Sequence, residues 1–314
     1  VTRIAILAGG LSPERDVSIR SGRRVADALR AVGEDVTVHD TDAELLPEWE
    51  TDPPDCVIPL LHGAVGEDGS LRDVLDTLGL SYVGARPSAC RLAFDKPIAK
   101  SQLVELGVST PDWIALPHST FRELGAQRIM SAAIARLGLP LVVKPARGGS
   151  ALGLAVVRSA DELPPAMVAA FAYGETVLLE SFAAGIEIAV SVIETAAGTV
   201  ALPAVEIHSD SGLYDYQARY TAGMTEFFTP ARLTEVDALA AAEAALTAHR
   251  AFGIRHLSRT DLIVAEDGTP QFLETNVAPG MTETSLLPQS VAAAGLDLGG
   301  TMASLVQLAL ADHK

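Results

Sequence analysis

The first 95 residues alternate short apolar runs with amphipathic stretches, and this alternation restricts the fold more than any other feature of the chain. "RIAILA" (residues 3–8) has the length and composition of a buried strand, and "GGLSPER" interrupts it. Ser12 followed by Pro13 predicts an N-cap and a first helical residue, opening a helix through "VSIRSGRRVADALRAVG". "DVTVHD" and "CVIPLL" follow as strands, "SLRDVLDTLG" as a helix and "SYVGA" as a further strand. Strands separated by helices assemble into a mostly parallel sheet covered on both faces. The expected class is α/β, with an N-terminal domain ending near residue 95.

Residues 96–180 form a second block. It holds the helix "KPIAKSQLVELG", two strands joined by the glycine-rich turn of "PLVVKPARGGSALGLAVV", another helix and the strand "TVLLES". Residues 181–314 are richer in strand: "IEIAVSVIE", "VALPAVEI" and "LYDYQARYTAG", then a helix over 234–252, "SRTDLIV", "PQFLET" and a helical end. With 314 residues, 48% of them hydrophobic and 20% charged, the chain is long and apolar enough for three such domains with cores of their own. A net charge of −17 speaks against general nucleic-acid binding and against anionic membrane surfaces, so neither is an expected partner. No apolar run has the length of a signal peptide or a membrane span, which makes the cytoplasm the expected location. Cys56 and Cys90 lack C-x-x-C spacing, so neither a disulfide framework nor structural zinc is indicated. Lysine is scarce, with only Lys96, Lys100, Lys144 and Lys314 against nineteen arginines.

The most informative short stretch joins "SRTDLIV" (258–264) to "PQFLET" (270–275) through "AEDGT". Its Asp267-Gly268 pair favours a tight hairpin turn. With that pair at the turn centre, Asp261 faces Glu274 and Arg259 faces Asn276. Residues two apart on a strand point the same way, so all four side chains share one face. Opposed carboxylates repel unless a cation bridges them, and the amide adds a further oxygen. Mg²⁺ prefers such hard oxygen ligands, few from protein and the rest from phosphate and water. The competing account is a solvated surface hairpin with a salt bridge to Arg259. Beyond the hairpin, "VAPGMTETSLLP" forms an irregular turn able to aim the Gly280 N–H at a developing oxyanion. Ser285 and the amides beside it are placed to hold a carboxylate where the closing helix begins.

Other segments suit phosphate chemistry less specifically. Lys144 ends an apolar strand before glycines 148, 149 and 153, which let backbone approach phosphate oxygens, although a plain glycine hairpin reads the same way. Glu180 and Glu187 in "LLESFAAGIE" are placed for an adenine amino group and ribose hydroxyls, or are simply exposed strand-end acids. His62 follows an apolar strand, where parallel sheets keep their ligands, or fills a loop hydrogen bond. "YDYQARY" suggests a cover with Tyr220 pointing inward, or ordinary half-buried strand.

Together these segments resemble the D-alanine–D-alanine ligases of the ATP-grasp superfamily. The likeness runs nearly end to end and in order through "GGLSPERDVS", "LHGAVGEDG", "DKPIAK", "VVKPARGGSALG", "LLESFAAGIE", "YDYQARY", "RTDLIV" and "LETNVAPGMTETSLLP". It implies a three-domain ATP-grasp architecture: a parallel-sheet N-terminal domain (1–95), a small central α+β domain (96–180) and a larger C-terminal α+β domain (181–314), with ATP gripped between the last two. It also implies an ATP-dependent ligase for peptidoglycan synthesis, joining two D-alanines through an acyl phosphate. By this resemblance Lys96 and Lys144 hold the phosphates and the adenine side, while Glu180 and Glu187 bind adenine and ribose. Asp261, Glu274 and Asn276 hold two Mg²⁺, with Mn²⁺ as a substitute. Arg259 and the Gly280 amide stabilise the tetrahedral oxyanion. Glu14 takes the ammonium of the first D-alanine, with His62 near its carboxyl group, and Ser150 and Tyr220 join Glu14 in a cluster that closes the site. Ser285 and Leu286 receive the carboxylate of the second D-alanine. The resemblance further implies a homodimer, with the first helix at its interface.

Three positions depart from the family pattern. Arg219 stands where lysine is usual before the lid tyrosine, Ala151 replaces a serine of the phosphate loop, and Ala278 replaces serine or threonine. Tyr220 accompanies amine acceptors in this family. The rival readings are a same-fold ligase for another D-amino acid or D-hydroxy acid acceptor, and a nucleotide-binding protein without catalysis.

Overall fold

The computed structural model describes residues 1–209 and 225–312. Its first sheet is the expected parallel one. β1 (Arg3–Leu7) lies between β2 (Asp35–His39) and β3 (Cys56–Pro59), with Ile4, Ile6 and Ile58 almost wholly buried. The helix Arg15–Ala31 begins later than the Ser12-Pro13 signal predicts. The Ser12 hydroxyl accepts from the Glu14 N–H at 3.1 Å and closes a turn ahead of the helix instead. "SYVGA" is not a strand either, since only Tyr82 bridges to Val57.

The second sheet is antiparallel: β4 (Trp113–Pro117), β5 (Leu141–Pro145), β6 (Ala155–Val157) and β7 (Thr176–Ser181), in the order β4-β7-β5-β6. The third contains β8 (Ile186–Thr195), β9 (Gly198–Ala201), β10 (Val205–Ser209), β11 (Thr225–Phe228), β12 (Leu257–Val264) and β13 (Pro270–Asn276). Its order is β11-β10-β8-β12-β13, with β9 also on β8. "VALPAVEI" therefore splits into two strands around Pro203, which has no N–H to give to a ladder.

Three large cores hold these layers. Val25 and Leu29 of the first helix meet Ile4 and Ile6 below and Met302, Leu305 and Val306 of the closing helix Leu298–Asp312. Ala241, Ala245 and Ala248 of the helix Glu235–Ala251 lie against Ile188, Val190 and Phe272. Ala99 and Leu103 of the helix Lys96–Glu105 belong to the same core, so this helix packs on the third sheet. The second sheet has its own core around Leu141, Val143, Leu163 and Val177. Among the described residues no single helix is long and apolar enough to cross a membrane.

The hairpin that bears on function reaches its register by an unexpected route. Near the tip Val264 pairs with Pro270, and the Ala265 N–H donates to the Thr269 carbonyl at 3.0 Å, so the loop is one residue longer than a two-residue Asp267-Gly268 turn. A bulge then absorbs the difference. Leu262 pairs with Phe272 and Asp261 with Glu274, leaving Leu273 as the extra residue on β13.

Candidate active site

Below the bulge, Asp261 faces Glu274 and Arg259 faces Asn276. Arg259 donates twice to Asp261, Nε to Oδ1 and Nη2 to Oδ2, both at 2.7 Å. Asn276 Nδ2 reaches Asp261 Oδ2 at 3.3 Å. Thr260 and Thr275 point to the other face, where their hydroxyls meet at 3.0 Å. Arg259 is only 8% exposed and Asp261 5%, which removes the solvated-hairpin account. Glu274 Oε2 stands 3.2 Å from Lys96 Nζ. Among the described residues there is no group of three or more His, Cys, Asp or Glu able to hold a metal. The set here is two carboxylates and an amide, a donor chemistry that fits a hard ion taking its remaining ligands from phosphate and water.

These acids border a cavity of about 470 Å³ between the second and third sheets, lined by Lys96, Lys144, Gly149, Glu180, Glu187 and Glu274 among others. Lys96 and the wholly buried Lys100 come from one helix. Asp95 caps the helix Lys96–Glu105 by accepting from the Ile98 N–H at 3.2 Å. Lys96 and Lys100, four residues apart, then share a face. Lys96 Nζ donates to the Gly148 carbonyl at 2.8 Å. Lys100 Nζ reaches Glu180 Oε1 at 2.6 Å, and Lys144 Nζ reaches Glu180 Oε2 at 2.5 Å. Burial pushes Lys100 down to about 8, against the pull of Glu180. Burial alone would raise Glu180, but Lys144 and Lys100 outweigh it and hold the carboxyl below its ordinary range. The sequence reading missed Lys100. Its signal was the scarcity of lysine, since three of the four in the chain converge here.

The N-terminal part of the chain meets the glycine-rich loop beside this cavity. The Ser150 hydroxyl donates to Glu14 Oε1, joining the loop after β5 to the start of the first helix. Ser150 and Ala151 have φ of 50° and 54°, left-handed values uncommon for residues with a side chain. His62 is buried, hydrogen-bonds the backbone of Ala278, and is pushed down to about 4 by burial. Glu67, also missed, accepts from the Gly63 N–H at 2.9 Å and is pushed up to about 7, first by burial and then by Glu14. A β-carbon on Gly149 would stand 3.6 Å from both Glu14 carboxylate oxygens and 3.8 Å from Glu67 Oε1, so both acids face this loop.

Gly280 needs its missing side chain, because a β-carbon there would lie 2.8 Å from Ser285 Oγ. Ser285 directly precedes the helix Leu286–Ala293. The Leu286 side chain is buried against Ala189, Val205 and Ile207, leaving its main chain for any ligand. Arg219 and Tyr220 lie outside the described residues.

Two antiparallel sheets flanking a lysine-lined cavity, with paired acids at its edge, define an ATP-grasp ligase. Residues 103–307 match the family model "D-ala D-ala ligase C-terminus". The D-alanine–D-alanine ligase of Moorella thermoacetica is 39% identical over 308 residues, covering 98% of this chain and 99% of that protein. The ATP complex of the Bacillus anthracis D-alanine–D-alanine ligase superposes with a TM-score of 0.81 at 29% identity, covering 100% of this chain and 98% of that one. The VanG D-Ala:D-Ser ligase of Enterococcus faecalis superposes with a TM-score of 0.84 at 26% identity, covering 98% and 99%. The chain belongs to the D-alanine–D-alanine ligase family of ATP-dependent ligases.

Proposed function

We propose that this chain joins two D-alanines at the expense of ATP, releasing ADP and phosphate and supplying a dipeptide for peptidoglycan, as a cytoplasmic homodimer. The observation that carries this reading is the square of buried Arg259 and Asp261 and half-buried Glu274 and Asn276 at the edge of a cavity that also receives Lys96 and Lys144. The carboxylate of the first D-alanine attacks the γ-phosphorus, and ADP leaves. The amine of the second, having lost a proton, attacks the resulting acyl phosphate, and phosphate leaves. No covalent nucleophile of the protein is required, so its work is to orient the reactants and neutralise charge.

Lys96 and Lys144 meet the phosphates, and Glu187 lies on the cavity wall for the ribose. Asp261, Glu274 and Asn276 would hold two magnesium ions, which supply positive charge to the phosphates when bound. Arg259 is fixed by its two bonds to Asp261 and faces the oxyanion together with the Gly280 amide. Glu14, next to Ser150, takes the first ammonium, and His62 stays neutral beside the first carboxylate. Ser285 and the Leu286 N–H take the second carboxylate. Ala151, Ala278 and Arg219 depart from the family pattern on the phosphate and acceptor sides, and a fold match to a D-Ala:D-Ser ligase keeps D-serine in the comparison.

Phosphate release measured with D-alanine alone and with D-alanine plus D-serine or D-lactate tests the acceptor. Strong release with D-alanine alone is expected. Release that appears only with another acceptor would replace D-alanine as the second substrate. Asn276→Ala should abolish turnover while sparing most ATP affinity, and unchanged ADP formation would remove the metal assignment.

A further inference from the structure

Ser285 alone does not explain why its hydroxyl should donate to a ligand. A serine hydroxyl has one hydrogen and two acceptor positions, and it turns to suit its surroundings. Here the surroundings come from one residue. The Thr282 N–H donates to Ser285 Oγ at 2.9 Å, and Thr282 Oγ1 lies 2.8 Å from the same oxygen. The two hydroxyls share one hydrogen in that contact. When Thr282 donates it, both acceptor positions of Ser285 are filled, and the Ser285 hydrogen has only the outward direction left. The reverse assignment would leave the Thr282 hydroxyl hydrogen unused on a side chain only 5% exposed, while Ser285 itself is half-buried. An unmet buried donor is the costlier arrangement.

We infer that Thr282 is a positioning residue that makes Ser285 an obligate hydrogen donor to the carboxylate of the acceptor substrate. This deepens the proposed function and rests on it. The turn that carries Thr282 is held from the first helix. The Ser21 hydroxyl accepts from the Met281 N–H at 3.0 Å, Arg24 donates to the Thr282 carbonyl, and Arg20 pairs with Glu283 at 3.0 Å. Ser21 is wholly buried, so the grip does not depend on solvent-exposed groups alone. Ser285 Oγ is also close enough to Gly280 to exclude a β-carbon there, which sets the directed hydroxyl beside the amide assigned to the oxyanion. The acceptor carboxylate is thereby fixed relative to the carbonyl that its amine must attack.

Thr282→Val keeps the backbone donor and the branched shape but removes the hydroxyl. In steady-state phosphate-release assays with the full chain, the KM for the acceptor D-alanine should rise severalfold and by no more than about tenfold, because the Ser285 hydroxyl is no longer directed and its charge-assisted hydrogen bond weakens. The KM for ATP and for the first D-alanine should stay within about twofold on the same scale. Thr282→Ser should restore the acceptor KM, and Thr282→Val in a Ser285→Ala background should add little, because no Ser285 hydroxyl remains for Thr282 to direct. Thr282→Ala serves the same comparison if the valine variant does not fold. An unchanged acceptor KM, a parallel change in every constant, or no rescue by serine would overturn the inference. A wild-type chain that releases no phosphate with any D-amino acid would overturn the proposed function and Thr282 with it, an outcome distinct from an active enzyme indifferent to the substitution.

Discussion

Replacing Glu180 by Gln removes the charge that holds two buried lysines together while keeping the shape of the side chain. Glu180 is 3% exposed, Lys100 is fully buried and Lys144 10% exposed, with N···O distances of 2.6 and 2.5 Å. A neutral amide between two ammonium groups leaves their repulsion uncompensated, so one must surrender its proton. Lys100 is the one that yields, because it is the more buried and already sits at about 8 with Glu180 present, down from 10.5. Holding it neutral at pH 7 costs at most about 4.8 kcal/mol, of which the wild type already bears about 3.4. The Lys100 share of the loss is then about 1.4 kcal/mol, and the unpaired Lys144 moves the total towards the roughly 3–5 kcal/mol typical of a buried pair that loses a partner.

The pH dependence is the sharper signature. Between the folded pKa of Lys100 and 10.5 the unfolded chain binds the extra proton, so stability rises with pH by up to about 1.4 kcal/mol per unit. In the wild type this rise begins near 8, and in the variant it begins below 7. The variant's deficit should therefore shrink by about 1 kcal/mol from pH 7 to pH 8 and stay constant above that. Trp113 reports the change directly, since Lys100 Nζ lies 5.5 Å from its ring centroid. Trp49, the other tryptophan, is removed as Trp49→Phe for a single-reporter background. Urea denaturation followed by Trp113 fluorescence at pH 7, 8 and 9 gives the comparison. Equal midpoints at pH 7, or a deficit that does not vary with pH, would refute the charge-locked account of this cluster.

Glu67 gives a test of opposite sign. Its folded pKa of about 7 lies above the ordinary 4.5, so its contribution is fully present below 4.5 and is lost as pH rises through 7. Glu67→Gln should raise the melting temperature at pH 8, where up to about 3 kcal/mol of penalty is relieved, and leave it nearly unchanged at pH 4; an equal shift at both pH values would count against it. His62 and His256 are both held near 4, mainly by burial, so the unfolded chain takes up their protons first as pH falls from 6.5. Stability should fall by up to about 1.4 kcal/mol per unit for each between pH 6.5 and 4, and His256→Asn should flatten that limb in acid denaturation curves; an unaltered slope would exclude His256.

The parts of this molecule that follow a two-residue or helical period were legible from the sequence. The parallel β2-β1-β3 sheet and the shared face of Asp261 and Glu274 are of that kind. Even there the turn was misjudged, because "AEDGT" supports loops of two lengths and only the bulge at Leu273 fixes the register. Lys100 escaped notice because its role depends on a helix packing against the third sheet while facing Glu180 of the second, a meeting that no local pattern encodes. Glu67 ends the one-turn helix Ala64–Glu67, whose other residues are apolar or glycine, and only the fold brings Glu14 near enough to perturb it. "SYVGA" has strand composition but lies at the edge of the first sheet and makes a single bridge. "WIALP", which the sequence reading does not assign, is an edge strand where its terminal Pro117 is tolerated.

The extra residue at Leu273 separates two jobs that most hairpins combine. Changes of length at the Glu266–Gly268 tip need not travel down the ladder, because the pairing of Asp261 with Glu274 is set locally on the near side of the irregularity. Loss of Leu273 itself would only restore a regular ladder, with Glu274 still opposite Asp261, whereas loss of a residue on the inner side, such as Thr275, would turn Asn276 away from Arg259 to the face of the buried Thr260. Descendants of this gene are therefore free to vary the outer end of the ribbon in length and held to a fixed residue count at its inner end.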